Sequence, residues 1–344
     1  MSSIKFFITL FLLLVCHGAF SQKEVVHKIC FGSCAKASKK QPILSLAARE
    51  SPDLFIYLGD NIYGNTRDMD KLKSKYLKLG KKAEFQELND STTVLATWDD
   101  HDYGENDAGR HFSRKRESRE IFLEFWKEPE TSERRKHKGI YHSLMHGPQG
   151  KRLQVILLDT RTFRDNLTKL VDKKRYKNDY QPCQIADSTM LGVEQWTWLE
   201  KQLKKPAEIR IIASSNQFSH EYNGWESWTN LPHEQQKMLD LIKSTKANGV
   251  VFLSGDVHWG EISKMEMEGL YPIYDITSSG ITQTWNKPES NKNRIGAVVM
   301  DNNYGVIEID WEREAPELLF YIKDNKGEER VKMQVNLSEL QFKP

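Results

Sequence analysis

The feature that most constrains this chain is a series of short apolar runs that each stop on an acidic or hydroxyl residue. Leu54–Leu58 ends at Gly59-Asp60, residues 93–98 end at Asp99-Asp100, and residues 153–158 end at Asp159. Ile209–Ala213 ends at Ser214-Ser215, and residues 250–253 end at Ser254-Gly255-Asp256. Runs of this length, rich in Ile, Val, Leu and aromatic residues, are buried strands. Helical stretches are expected over 68–88, 114–126, 193–203 and 233–243. That alternation predicts an α/β fold. Past Tyr271 the pattern turns to strand after strand, at 272–277, 305–310, 318–322 and 330–335, as in the antiparallel edge of a sandwich. In open α/β sheets the carboxyl ends of the strands are where sites form. One aspartate there is ordinarily a helix cap. Several strands that all release ligand-type residues ask for another explanation.

Composition narrows the function classes. With 28% charged residues and a mean hydropathy of −0.64, the chain is no polytopic membrane protein. Its 9 Trp, 12 Tyr and 15 Phe supply ample core material, which excludes a disordered chain. Lys plus Arg is 50 against 48 for Asp plus Glu, so the net charge of +2 argues against a dedicated nucleic-acid binder. No stable nucleic-acid complex is expected, and a monomer is. At the amino terminus Lys5 precedes an apolar run over residues 6–15, followed by Ala19-Phe20-Ser21. This reads as a signal peptide over 1–21 that places the protein in the periplasm or outside the cell. The run is short for a span of about 20 residues, so no transmembrane segment is expected in the mature chain. Val15 before Cys16 does not fit a lipoprotein signal. No linker or repeat interrupts residues 22–344, which are expected to form one domain.

Export leaves Cys30, Cys34 and Cys183, an odd number. Cys30 and Cys34 sit in Lys28-Ile29-Cys30-Phe31-Gly32-Ser33-Cys34. Extended backbone separates them by about 13 Å, too far for a disulfide. One thiol is left over, either idle or a ligand; if that thiol is Cys34, pairing of Cys30 with Cys183 stays open.

The strand-end residues form a mixed donor set. Cys34 follows the first strand; Asp60, Asn61 and Tyr63 follow the second; Asp99, Asp100, His101 and Asp102 follow the third. Asn216 and Gln217 come later, and then Asp256 and His258. Carboxylates suit hard cations, imidazole suits transition metals, and thiolate with phenolate suits ferric iron. Such a set points to two unlike metals side by side, the arrangement that clamps attacking and leaving oxygens in phosphoryl displacement. Arg161 also follows a strand end, and a guanidinium binds phosphate bidentately.

Gly59-Asp60-Asn61-Ile62-Tyr63-Gly64, the run from Trp98 to Asp107 (Trp-Asp-Asp-His-Asp-Tyr-Gly-Glu-Asn-Asp) and Gly255-Asp256-Val257-His258 resemble the PhoD-like alkaline phosphatases, within the calcineurin-like metallophosphoesterases. Leu158-Asp159-Thr160-Arg161-Thr162-Phe163-Arg164 and Gln195-Trp196-Thr197-Trp198-Leu199 are similar to the same family. The resemblance implies a four-layer αββα sandwich of two mixed sheets flanked by helices. It implies that Asp60 bridges two metals, that Cys34, Tyr63 and His258 complete a ferric iron site, and that Asp100 and Asp256 serve a calcium site. Gln217 stands where many members of the superfamily carry a metal-binding histidine. His101 matches the histidine that contacts the reacting phosphate, so His101 and Arg161 are the catalytic candidates. The family also carries an amino-terminal β-sandwich; here Phe31 follows the expected cleavage almost directly, so a site without that cover is expected.

The implied activity is hydrolysis of phosphate monoesters, diesters or both through the dinuclear centre. The alternatives are a dedicated phosphodiesterase or phospholipase of the same fold, and a non-catalytic, calcium-stabilised binding protein. The basic runs Arg110, Arg114, Lys115, Arg116, Arg119 and Arg134, Arg135, Lys136, Lys138 read as solvated helix faces or as attractors of anionic substrate. Tyr222, Trp225 and Trp228 around Gly224 either rim a pocket or pack a loop, and Trp259 reads as core.

Overall fold

The computed structural model describes residues 24–343, so the expected signal peptide lies outside the described residues. Thirteen strands form two sheets. The first sheet holds β1 (Lys28–Gly32), β2 (Leu54–Leu58), β3 (Thr93–Thr97), β11 (Asn303–Asp310), β12 (Glu317–Asp324) and β13 (Glu329–Asn336), in the order β13-β12-β11-β1-β2-β3. The second holds β4 (His142–His146), β5 (Leu153–Leu157), β6 (Ile209–Ala213), β7 (Val250–Ser254), β8 (Gly260–Met265), β9 (Ile273–Ser278) and β10 (Arg294–Val299), in the order β10-β8-β9-β7-β6-β5-β4. Both sheets are mixed. The strands β1-β2-β3 and β5-β6-β7-β9 run parallel, and the outer strands are antiparallel.

The side-chain alternation of the first sheet explains the layers. Leu54, Ile56 and Leu58 of β2 join Ile29 and Phe31 of β1 in the core shared with the second sheet. Phe55 and Tyr57 point the other way, into a second core beneath helices. That outer layer comprises α1 (Pro42–Arg49), α2 (Met69–Gly80), α3 (Ala83–Ser91) and α5 (Lys115–Phe125), through residues such as Leu44, Tyr76, Leu88 and Phe122. On the far side α6 (Gly192–Leu203) and α7 (Pro232–Thr245) bring Leu199, Leu203, Met238 and Ile242 onto the second sheet. A short α4 (Asp100–Tyr103) opens directly after β3. The result is the expected four-layer sandwich.

Local chemistry sets the boundaries. The Asp68 carboxylate caps α2 by accepting from the backbone N–H groups of Asp70 and Lys71 at 3.0 and 3.1 Å. The single helix expected over 68–88 is two. It breaks after Gly80, where a Cβ would stand 3.2 Å from the Phe125 ring, a tight contact that brings α2 and α5 close together. The α7 helix starts on Pro232 and ends at Lys246, whose φ of 52° closes it in the left-handed region. Among the described residues no helix is long and apolar enough to cross a membrane, and Cys30, Cys34 and Cys183 are all free, buried thiols.

Candidate metal centre

The carboxyl ends of β1, β2, β3 and β7 converge where the two sheets meet. Close backbone approach makes this possible. A Cβ on Gly59 would lie 2.6 Å from the Asp99 Cβ, and one on Gly255 would lie 2.3 Å from the Ser33 Oγ. The first glycine lets β2 and β3 release their acids together; the second lets the second sheet touch the end of β1. The loops are then pinned across strands. Ala35 N donates to Asp60 O at 2.8 Å and Gly64 N donates to His101 O at 2.9 Å.

Backbone strain is concentrated here. Cys34 (φ 63°), Asp60 (51°), Asp107 (55°), Asp256 (70°) and His258 (65°) all occupy the left-handed region. Each costs about 1–2 kcal/mol for an L-residue with a side chain. With Asn65 (45°), which touches His101, six of the ten non-glycine residues with positive φ in the described chain are at this one place. Strain of this kind persists where surrounding structure over-determines it, and it marks functional sites.

Seven of the expected residues are brought together. The Cys34 Sγ lies 3.5 Å from the Asp60 Oδ2 and 3.1 Å from the Ser279 Oγ. The Tyr63 hydroxyl is 3.1 Å from the His258 Nε2. His101 Nε2 is 3.9 Å from Asp60 Oδ2, and its Nδ1 is 3.6 Å from Asp100 Oδ2. Asp100 Oδ2 accepts from Asp107 N at 2.8 Å. Asp100, His101, Asp256 and His258 line a cavity of about 260 Å³, with Trp225, Trp259, Trp285 and Tyr180 on its walls.

Two expectations fare differently. Arg161 does not line this cavity. It is fully buried, and its guanidinium is spent on protein: Nε donates to Asp99 Oδ1 at 2.6 Å, Nη1 and Nη2 donate to Glu226 at 3.0 and 2.6 Å, and Ala108 O receives the remaining contact. A phosphate group has no free donor to meet there, so the expectation of direct phosphate binding by Arg161 is corrected to a role in holding Asp99 and Glu226. Gln217 commits its amide nitrogen to Glu261 Oε1 at 2.8 Å and Thr277 Oγ1 at 3.0 Å, while its Oε1 has no hydrogen-bond partner among the described residues. None of these bonds joins it to the strand-end cluster.

The electrostatics are those of crowded acids. Burial, then Asp100 and the other carboxylates, pushes Asp60 well above the usual range. Burial and the charge of Asp99 do the same to Asp256. Asp99 rises to about 7, from burial, although Arg161 pulls the other way. Asp100 alone among these falls below the usual range, because His101, Arg161 and the N–H of Asp107 outweigh its burial. Burial raises the Cys34 thiol and the Tyr63 phenol and lowers His258 to about 4.

The donor set fits metal ions. Ligand atoms of Cys34, Asp60 and His258 lie within 4.8 Å of one another, as do those of Asp60, Asp100 and His101, and those of Asp99, Asp100 and Asp256. Asp60 and Asp100 each belong to more than one group. Asp60 Oδ1, Asp99 Oδ2 and Asp100 Oδ1 are buried with no hydrogen-bond partner among the described residues. Buried anionic oxygens without donors are destabilising unless a cation satisfies them.

The model of the PhoD-like phosphatase family matches residues 65–336. The chain belongs to the PhoD-like phosphatase family. Asp100, His101, Asp256 and His258 fall inside the matched residues, while Cys34, Asp60 and Tyr63 precede them. The chain is 24% identical over 278 residues to alkaline phosphatase D of Bacillus subtilis, a match covering 68% of this chain and 45% of that one. It thus spans less than half the length of that relative. Among solved structures, PhoD superposes with a TM-score of 0.66 at 18% identity, covering 91% of this chain and 72% of that one. A dimetal phosphatase from Danio rerio gives 0.56 at 14% identity, covering 93% and 100%. GAP50, described as the anchor in the inner membrane complex of Plasmodium, gives 0.55 at 13%, covering 91% and 89%. At these identities the structural likeness is one of fold.

Several members of the site were not read from sequence. Asn65 places its Oδ1 2.5 Å from His101 Nδ1, on a backbone with φ 45°. Asp107 adjoins Asp100 and bonds the Tyr180 hydroxyl. Glu226 gathers Arg161 and Arg164. Asp107 closes the Trp98–Asp107 motif and Asn65 directly follows the Gly59–Gly64 motif, so proximity in sequence to Asp100 and Tyr63 is a usable signal. Glu226 and Ser279 arrive from loops with no pattern. The aromatic residues divide: Trp225 lines the cavity, Trp228 is core and donates to Ser214 Oγ at 3.0 Å, and Trp259 does both, lining the cavity while donating to Glu261 at 2.9 Å.

Proposed function

We propose that this protein is a metal-dependent phosphoester hydrolase that acts on phosphate monoesters, diesters or both. The observation that carries the reading is the run of overlapping acidic, thiol and imidazole groups, sharing Asp60 and Asp100, each of which keeps one buried carboxylate oxygen, Oδ1, with no hydrogen-bond partner among the described residues. Cys34, Asp60, Tyr63 and His258 are the residues that would hold ferric iron, and Asp60, Asp100 and Asp256 those that would hold calcium. Gln217 contributes to this set only through its unbonded carbonyl oxygen. When bound, such a metal pair supplies charge stabilisation for phosphoryl displacement. The chain's own part is positioning. Arg161 and Glu226 fix Asp99 beside Asp100. Asn65 holds the His101 ring, and His101 is the group at the cavity wall that can pass a proton to the leaving oxygen. Arg161 acts through Asp99 and makes no contact with substrate.

The leader sequence supports export to the periplasm or beyond, with residues 22–344 acting as one monomeric unit. A calcium-stabilised binding protein of the same fold is the rival reading. A histidine at the cavity wall, held by Asn65, favours the enzyme. Purified protein with metals present, assayed against bis(p-nitrophenyl) phosphate and p-nitrophenyl phosphate, decides between them. Turnover of either supports the enzyme; turnover of neither supports the binding protein.

A further inference from the structure

A second and larger concavity, about 1150 Å³, lies between the start of α5, the 135–139 strap and the start of α6. It shares no lining residue with the metal cavity, though Asp107 lines one and Arg110 the other. The sequence pattern allowed its basic residues to be a solvated helix face. Their partners divide them instead into two sets.

One set is structural. Arg119 donates to four carbonyls, those of Arg134, Arg135, His137 and Gly139, at 2.9 to 3.1 Å, and so folds the strap against α5. Arg135 reaches Glu120, Arg110 reaches Asp165 at 2.6 Å, and Lys237 reaches Glu234. Of the acids of the groove, Glu117 pairs with Arg114, Glu120 with Arg135 and Glu234 with Lys237; Glu194 accepts from the Tyr141 hydroxyl and the Lys138 N–H, and Asp187 lies exposed at the rim, so the lining cations outnumber the acids eight to five.

The other set is Lys115, Arg116 and Lys138. Among the described residues none of the three has a carboxylate partner; the Lys115 ammonium donates only to the Arg110 carbonyl at 2.6 Å. Burial, then the charges of Lys138, Arg110 and Arg116, holds Lys115 below the usual lysine value, so these cations crowd one another. Like charges held together by a folded strap are unfavourable until an anion joins them. The start of α6 borders the same space through Gly192, Val193 and Glu194, but the N–H groups there are already met by protein, Gly192 N by Thr189 Oγ1 at 2.9 Å and Met190 N by the Glu234 carboxylate at 2.7 Å, so the cations face the groove without it.

We propose that this groove is a binding site for a phosphate dianion, separate from the metal centre, held by Lys115, Arg116 and Lys138. Phosphate has the charge to neutralise the cluster and the acceptors to engage guanidinium and ammonium donors together. The proposal stands on the groove alone and does not depend on the hydrolase reading.

Calorimetric titration of the metal-loaded protein with inorganic phosphate, at constant ionic strength set by chloride, tests it. Arg116 and Lys138 are exposed, so Arg116→Glu and Lys138→Glu are expected to fold and to melt as the parent does. Each is expected to weaken one phosphate-binding event at least tenfold and to leave turnover of a small chromogenic ester unchanged. Asp60→Asn, which strikes the metal centre, is expected to keep that event. A phosphate isotherm identical in parent and both charge-reversed variants would overturn the proposal. So would an event that chloride alone reproduces, or one that disappears in Asp60→Asn but survives in Lys138→Glu.

Discussion

The two ends of the first sheet follow opposite rules. At the β11-β12-β13 end the register is long and regular, with Asn303 to Asp310 pairing Asp324 to Glu317 residue for residue. Leu318, Phe320 and Ile322 face the shared core, and charges are matched at the surface, as in Arg330 with Asp301 and Asp324. At the β1-β2-β3 end the strands are short, and their exits are strained at Cys34 and Asp60. Acids there are buried beside one another with oxygens unpaired. The first region is built for stability. The second carries strain and unbalanced charge that the first must support, which is the usual relation between a scaffold and a site. The contrast teaches where substitutions will be felt as lost folding and where as lost chemistry.

Breaking the comparison from the site side has the largest expected effect. His101→Ala is expected to lower hydrolysis by roughly 10²–10⁴-fold, as for loss of a proton-transfer group. Metal content and melting temperature are expected to stay close to those of the parent, because His101 bears on the cavity and not on the core. Kinetics on the purified variant, with elemental analysis of the same sample, checks both halves. Loss of metal equal to that of Asp60→Asn would move His101 from proton transfer to ligation.

From the scaffold side, Phe320→Ala is expected to cost about 3–5 kcal/mol of folding stability. Phe320 is fully buried in the core between the sheets. Denaturant unfolding measures the loss. Protein that remains folded is expected to turn over substrate at the parental kcat, since β12 contributes no residue to the cavity.

A smaller effect sharpens the distinction by pH. Glu234 is a buried carboxylate whose Oε2 accepts from Thr189 Oγ1, Met190 N and Trp196 Nε1 at 2.6 to 2.7 Å. Burial alone would raise it, but the Thr189 and Trp196 bonds with the others hold it below the usual range. A depressed carboxylate contributes stability that is full above its unfolded pKa and is lost as pH falls toward the folded one. Glu234→Gln is therefore expected to cost about 1–3 kcal/mol at pH 7, with the gap to the parent closing as pH drops into the acid range. Urea midpoints at several pH values check this. A gap that widens in acid contradicts the sign.

The sequence made β2, β3, β5, β6 and β7 legible because these buried strands are short, apolar and ended by acids or hydroxyls; β9, expected at an antiparallel edge, instead lies inside the second sheet and runs parallel to β7, with Asp275 and Thr277 buried in its middle. The sequence did not reveal β4, β8 and β10. β4 has no fully buried residue and contains two histidines, β8 buries Glu261 and Ser263, and β10 is an edge strand with Gly296 and Ala297 exposed. Their stability comes from neighbours, which no local pattern encodes. The site was legible wherever a motif carried its own geometry, as in the run around Asp100 and His101. It was illegible where burial decided the role. Arg161 looks like a phosphate ligand until Asp99 and Glu226 are seen to occupy it, and for Gln217 the bonds of its nitrogen to Glu261 and Thr277 leave only the carbonyl oxygen as a ligand atom.

The central claim is that the strand-end acids, thiol and imidazoles are a metal centre organised around Asp60. Elemental analysis of protein purified without chelators, parent beside Asp60→Asn, tests it most directly. The account predicts iron near one per chain together with a harder cation in the parent, and loss of both when the shared carboxylate is removed. A parent that carries two zinc ions with no iron or calcium would contradict the ligand roles given to Cys34 and Tyr63. Equal metal content in parent and Asp60→Asn would contradict the claim itself.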